Sequence, residues 1–178
     1  GEVKFSAGES VAGIWESQAL PDLNGKAVDL KQLLTEAKGD LKSLADKYGK
    51  YSMGTSGELN YTVKGTATVK SVNTEKKAGY MEIELKDYTG SEKIMLQVGS
   101  VYKGSAVRDS LDFIKFEDYT NQVDFAAISQ SIHDVVQKNV IEKADITTIT
   151  GKEIDFTGCF TVNGNSEILI TPVELTVK

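Results

Sequence analysis

Arg108 is the only arginine in a 178-residue chain that otherwise relies on lysine for positive charge. Lysine serves anywhere as a solvated point charge, whereas a guanidinium is preferred where a planar fork meets a carboxylate or stacks on a ring. Partners of both kinds lie within the same stretch. Asp109, Asp112, Glu117 and Asp118 supply carboxylates; Tyr102, Phe113, Phe116 and Tyr119 supply rings; Asn121 and Gln122 add amides. Two roles fit Arg108: an internal tether that pins this connection, which is the commoner use of such pairs, or a clamp for a ligand. Asn121 and Gln122 divide in the same way, between capping a turn and contacting a polar ligand. The candidate ligand-binding set is therefore Arg108, Asp109, Asp118, Tyr119, Asn121 and Gln122.

Other chemistries find less support. His133, the only histidine, has Ser129 and Gln137 four residues to either side, so no paired metal-ligand spacing exists. It is expected at the surface or edge of a helix. Cys159 lies in the apolar run Phe156-Thr157-Gly158-Cys159-Phe160 and reads as a small buried side chain. The acidic pairs match no calcium loop, and the glycines form no phosphate-cradling run. No metal, cofactor or catalytic residue is expected.

The net charge of −6 argues against nucleic acid, because a phosphate backbone demands a basic stripe and the largest cluster here is Lys76-Lys77. No segment approaches the roughly 18 apolar residues of a membrane span.

These groups need elements to position them. The first third reads as extended chain through Ala19-Leu20-Pro21, then two helices capped by Asp29 and Asp40 and stopped at Gly39 and Gly49. From Leu59 the apolar period becomes two. Strands follow through Tyr61–Val69, Met81–Leu85 and Ile94–Val98, with a bulge or bend expected between Gly65 and Val72. Asp124 can cap a long helix carrying Phe125, Ile128, Ile132, Val136, Val140 and Ile141. Two strands, Lys152–Val162 and Ile168–Val177, finish the chain around the turn Asn163-Gly164-Asn165. Three strands, a helix and two strands is the order of an OB-fold, a five-stranded Greek-key barrel. The expected class is mainly β with α+β content, with a small helical N-terminal subdomain over 1–57 and the barrel over 58–178. An open α+β sheet under the same helix is the alternative. Trp15 reads as a core anchor between the two parts.

Several phrases resemble a bacterial family of predicted periplasmic lipoproteins catalogued as a domain of unknown function. They include Gly13-Ile14-Trp15-Glu16-Ser17, Tyr61-Thr62-Val63-Lys64-Gly65-Thr66, Gly104-Ser105-Ala106-Val107-Arg108-Asp109-Ser110-Leu111, Phe113 through Gln122, and Ile168-Leu169-Ile170-Thr171-Pro172-Val173. The family pattern has Phe where this chain has Tyr119. The resemblance implies an extracytoplasmic, lipid-anchored product, often encoded near sugar ABC-transporter components. A signal and lipobox cysteine are expected before Gly1. It supplies no catalytic residue.

The resulting expectation is a non-enzymatic OB-fold module accessory to carbohydrate uptake. It would use the face of the second and third barrel strands, with a sugar or a sugar-transporter component as partner. The alternatives are a hydrolase built on Asp109, Glu117 or Asp118, which needs two of them converging, and a structural or protein-interaction module at the envelope.

Overall fold

The computed structural model describes residues 9–119 and 121–178. Residues 1–8 of the expected N-terminal subdomain, and Thr120 within the Tyr119-to-Gln122 phrase, lie outside the described residues.

Seven strands are described. Two short ones, β1 (Val28–Asp29) and β2 (Gly49–Tyr51), precede the long β3 (Leu59–Asn73). β4 (Tyr80–Leu85) and β5 (Lys93–Gln97) complete a meander, and β6 (Glu153–Thr161) and β7 (Glu167–Val177) form the closing hairpin. β3 pairs antiparallel with β4 through Ala67–Asn73 and with β6 through Asn60–Thr68, so one bent strand serves both sides. The expected bulge falls between Val69 and Ser71. β7 lies between β5 and β6, parallel to the first and antiparallel to the second. The ring β3-β4-β5-β7-β6 therefore closes on itself. This is the OB-fold barrel, and its closure removes the open-sheet alternative.

Alternation explains the interior. Tyr61, Val63, Ala67 and Val69 of β3, Met81, Ile83 and Leu85 of β4, and Ile94 and Leu96 of β5 are all buried. Gly164 turns the β6–β7 hairpin with φ 75°, a conformation that costs glycine little. Beside it, Asn165 Oδ1 accepts a hydrogen bond of 2.9 Å from the Leu41 N–H and ties the hairpin to the N-terminal third.

Helices α1 (Glu9–Ile14), α2 (Leu20–Lys26), α3 (Leu30–Ala37) and α4 (Ala45–Tyr48) make up that third. Trp15, Ala19, Leu23, Leu30, Leu33 and Leu34 join one continuous apolar core with the barrel. Trp15 is buried, as the core-anchor reading has it.

Three local expectations are corrected. Ala19-Leu20-Pro21 is helical, not extended. A π-turn over Trp15–Ala19 runs into α2, with the Leu20 N–H bonded to the Trp15 carbonyl five residues back. Pro21 occupies the first turn of α2, where its missing N–H costs little. Asp29 and Asp40 stand at the starts of their helices, yet neither side chain makes a capping bond. The long helix α6 (Gln122–Val136) begins before Asp124: Asn121 is the N-cap, its side chain accepting from Val123 N at 2.7 Å. Asparagine and aspartate cap about equally well, so the earlier of the two suitable residues took the position. A π-turn over Gln137–Ile141 then keeps Val140 and Ile141 on the core side, and α7 (Glu142–Ala144) follows. Between β5 and α6 lies a helix that periodicity did not reveal, α5 (Ala106–Ser110), packed against β3, β6 and α6.

Candidate functional site

Two adjoining clefts carry the groups of interest. The first, about 540 Å³, lies on the outward face of β4, β5 and β7. Barrel pairing makes it. Tyr80 of β4 is the register partner of Gln97 of β5, and parallel pairing sets Lys93 beside Glu167 and Met95 beside Leu169. In each pair the residues came from separate strands. Met95 and Leu169 give the cleft an apolar floor, and Tyr80 adds a half-exposed ring with Lys93 Nζ 5.3 Å from its centroid. Glu58, Lys103 and Asn163 stand at the rim. Gln97 is buried on this outward face because it grips the next loop. Its Oε1 accepts from Lys103 N at 2.8 Å, and its Nε2 donates to the Lys103 carbonyl at 3.1 Å and to Thr171 Oγ1 at 3.0 Å.

The second cleft, about 410 Å³, contains Arg108, Asp109 and Gln122 from the predicted set. The Arg108 guanidinium sits 3.7 Å over the Phe125 ring. Its Nε donates to Asp109 Oδ1 at 2.9 Å and its Nη1 to the Phe125 carbonyl at 3.2 Å. Burial pushes the Asp109 carboxyl above its ordinary value, and the hydrogen bond and charge of Arg108 oppose that without cancelling it. The pair pins α5 to the first turn of α6, which is the tether geometry. Met53, Phe116 and Ala126 complete an apolar side.

The remaining predicted residues lie elsewhere. Asn121 is committed to its cap. Tyr119 tilts against Phe125, with ring centroids 5.4 Å apart, and Asp118 belongs to the short turn Phe116–Asp118; neither lines either cleft. Asp112, offered as a partner for Arg108, instead meets Lys26 at 2.9 Å and Lys50 at 3.6 Å. Lys26 Nζ also donates to the Ser110 carbonyl, and Lys50 Nζ to that of Leu111 at 2.6 Å, so two lysines close the C-terminal end of α5.

His133 is a correction. Expected at a surface or helix edge, it is 7% exposed and stacks on Tyr102 with centroids 4.5 Å apart. Burial pushes its imidazole down to about 4, with Asp134 opposing and Arg108 assisting. The ring thus serves as a neutral aromatic plate. Cys159 is buried as expected, 3.4 Å from Thr62 Oγ1, and burial raises its thiol. Among the described residues no cluster of His, Cys, Asp or Glu is arranged to hold a metal ion.

A wider groove of about 690 Å³ surrounds the β3 bend near Gly65. Four of its polar side chains are engaged with one another: Thr66 Oγ1 donates to Asp155 Oδ1 at 2.6 Å and Asn24 Nδ2 to Glu174 Oε1 at 2.6 Å. Size alone does not make it the better site. The β4–β5 face, by contrast, is where OB-folds hold their ligands, between the loops that follow the first and fourth barrel strands. Ala78 and Gly79 of the first loop and Val162 and Asn163 of the second line this cleft.

Fold and face together define an OB-fold protein with an open cleft on its second and third barrel strands. The chain belongs to the family described as predicted periplasmic lipoprotein (DUF2291), whose model matches residues 1–176. That membership supports an extracytoplasmic, lipid-anchored location. Among solved structures the chain is similar to an OB-fold protein from Thermotoga maritima, with TM-score 0.74 and 16% identity over 99% of this chain and 100% of that one. A search of the curated proteins found no match.

Proposed function

We propose that this lipoprotein is a non-enzymatic binding module that holds a neutral saccharide in the β4–β5–β7 cleft and acts as an accessory to carbohydrate uptake. The observation that carries the reading is the lining of that cleft: a tyrosine ring beside an apolar floor, with two carboxylates and two lysines around it. OB-fold clefts take oligonucleotides or oligosaccharides. A phosphate chain needs an excess of cations, and here Glu58 and Glu167 offset Lys93 and Lys103. A sugar instead presents an apolar C–H face for Tyr80, Met95 and Leu169 and hydroxyls for the carboxylates, the amines and Asn163.

Hydrolysis draws less support. Of Asp109, Glu117 and Asp118, only Asp109 lines a cleft, and Arg108 holds it. An extracytoplasmic anchor suits a protein that meets a solute, or the transporter component receiving it, at the membrane surface.

The test is calorimetric titration with neutral oligosaccharides, using single-stranded oligonucleotides as the contrast. Saccharide binding should fall at least about tenfold in Tyr80→Ala, or about 1.4 kcal/mol. Binding unchanged by Tyr80→Ala, or preference for the oligonucleotide, would overturn the reading. Release of reducing ends on incubation would replace binding by hydrolysis.

A further inference from the structure

We infer that the ligand is an extended saccharide chain and that the Arg108 cleft is its second subsite. The inference rests on the proposed saccharide function and goes further in assigning length and direction. Glu58 and Gly104 line both clefts, so the two openings share a wall. The segment 103–106 runs from one to the other and is fixed at both ends. Gln97 grips the backbone of Lys103, and Ser129 Oγ donates to Ser105 Oγ at 2.9 Å. Between these anchors Gly104 has φ 77°, and a Cβ placed there would meet nothing within 4 Å. The junction is therefore rigid and carries no side chain on Gly104 to obstruct it.

The second cleft repeats the chemistry of the first with different residues. Met53, Phe116 and Ala126 offer an apolar side, while Arg108, Asp109 and Gln122 offer donors and acceptors together. Two hydrogen bonds hold the guanidinium over Phe125, and a guanidinium has five N–H donors in a fixed fork. Planar groups of this kind match the spacing of adjacent hydroxyls, each of which both donates and accepts. Asp109 and Glu58 offset Arg108, so this subsite, like the first, has no excess of positive charge with which to select an anion. Arg108 thus combines the two roles its sequence setting offered: it tethers α5 to α6 and lines a subsite.

A length series tests this with maltose, maltohexaose, cellobiose and cellohexaose. In one glycan series the hexasaccharide should bind at least about tenfold tighter than the disaccharide, because a second contact made by the same molecule benefits from high effective concentration. Gln122→Ala should weaken that gain. Ala126→Trp, at an exposed helix position, should fill the second cleft and bring the hexasaccharide down to the affinity of the disaccharide. Equal affinity for short and long chains, or a gain that survives Ala126→Trp, would remove the second subsite and leave the first standing. No binding of any of the four sugars would remove both.

Discussion

Between Arg108 and Gln122 the chain concentrates charge, rings and amides, and several of those groups are turned onto the connection itself: Arg108 onto Asp109 and Phe125, Phe116 and Tyr119 onto Phe125, Asn121 onto Val123. Along β4, β5 and β7 comparable groups are spread over strands far apart in sequence, and they share an open cleft. Proximity along the chain explains the contrast. Arg108 meets Asp109, and Asn121 meets Val123, one and two residues along the chain, and Phe125 follows seventeen residues after Arg108 at the other end of the same connection. Local neighbours satisfy each other cheaply, so a dense polar stretch tends to wire its own connection in place. Tyr80 and Lys93 meet once β4 pairs with β5, and Glu167 joins them only when β7 closes the barrel.

The comparison breaks most easily at Arg108. Arg108→Ala leaves a buried Asp109 carboxylate without its partner and uncovers Phe125, and should cost about 3 kcal/mol in chemical unfolding. A midpoint equal to that of the parent protein would show that the connection is not held this way.

His133 sharpens it on the acid side. In the unfolded chain the imidazole titrates near 6.5, and in the fold it is pushed down to about 4, so the folded state resists the proton. Its contribution is complete above about pH 6.5 and is lost as pH falls toward 4, by about 3 kcal/mol in all. His133→Phe, which keeps a ring against Tyr102, should flatten that part of the stability profile; an unchanged slope would exclude His133 as its source.

Asn121→Ala should cost about 1 kcal/mol through loss of the cap, and Asn121→Asp should restore it. Failure of the aspartate to rescue would point to a role beyond capping. Smallest of all should be the stability change in Tyr80→Ala, within about 0.5 kcal/mol, as at an ordinary surface position. If that variant instead unfolded as readily as Arg108→Ala, the tyrosine would belong to the scaffold.

The barrel was readable because its strands alternate cleanly and their order is distinctive. Tyr61 to Val69, Met81 to Leu85 and the turn at Gly164 each carry a local signal, and the bend in β3 announced itself as a slip in that alternation. β1 and β2 were not readable: two or three residues hold no period, and they are strands only because β3 lies beside them. The same limit hid the residues that line the cleft: the expected fold pointed to the face of the second and third barrel strands, but not to Tyr80, Lys93 or Glu167. Nothing local to Lys93 or Glu167 says that β5 and β7 run parallel, in register, at the closing seam. His133 was misplaced for a related reason: its burial depends on Tyr102, thirty-one residues earlier in the numbering.

The position of β7 has a consequence for biogenesis. This strand inserts between β5 and β6, so the β5–β7 seam cannot form until residues Glu167 to Ile170 are available. A chain whose ring closes this late, through pairings distant in sequence, folds slowly compared with one built from local contacts. For a protein destined to cross a membrane, that delay is useful. Without β7 the ring β3-β4-β5-β7-β6 is open, so a chain passed unfolded through a membrane would close its barrel only after that strand had crossed.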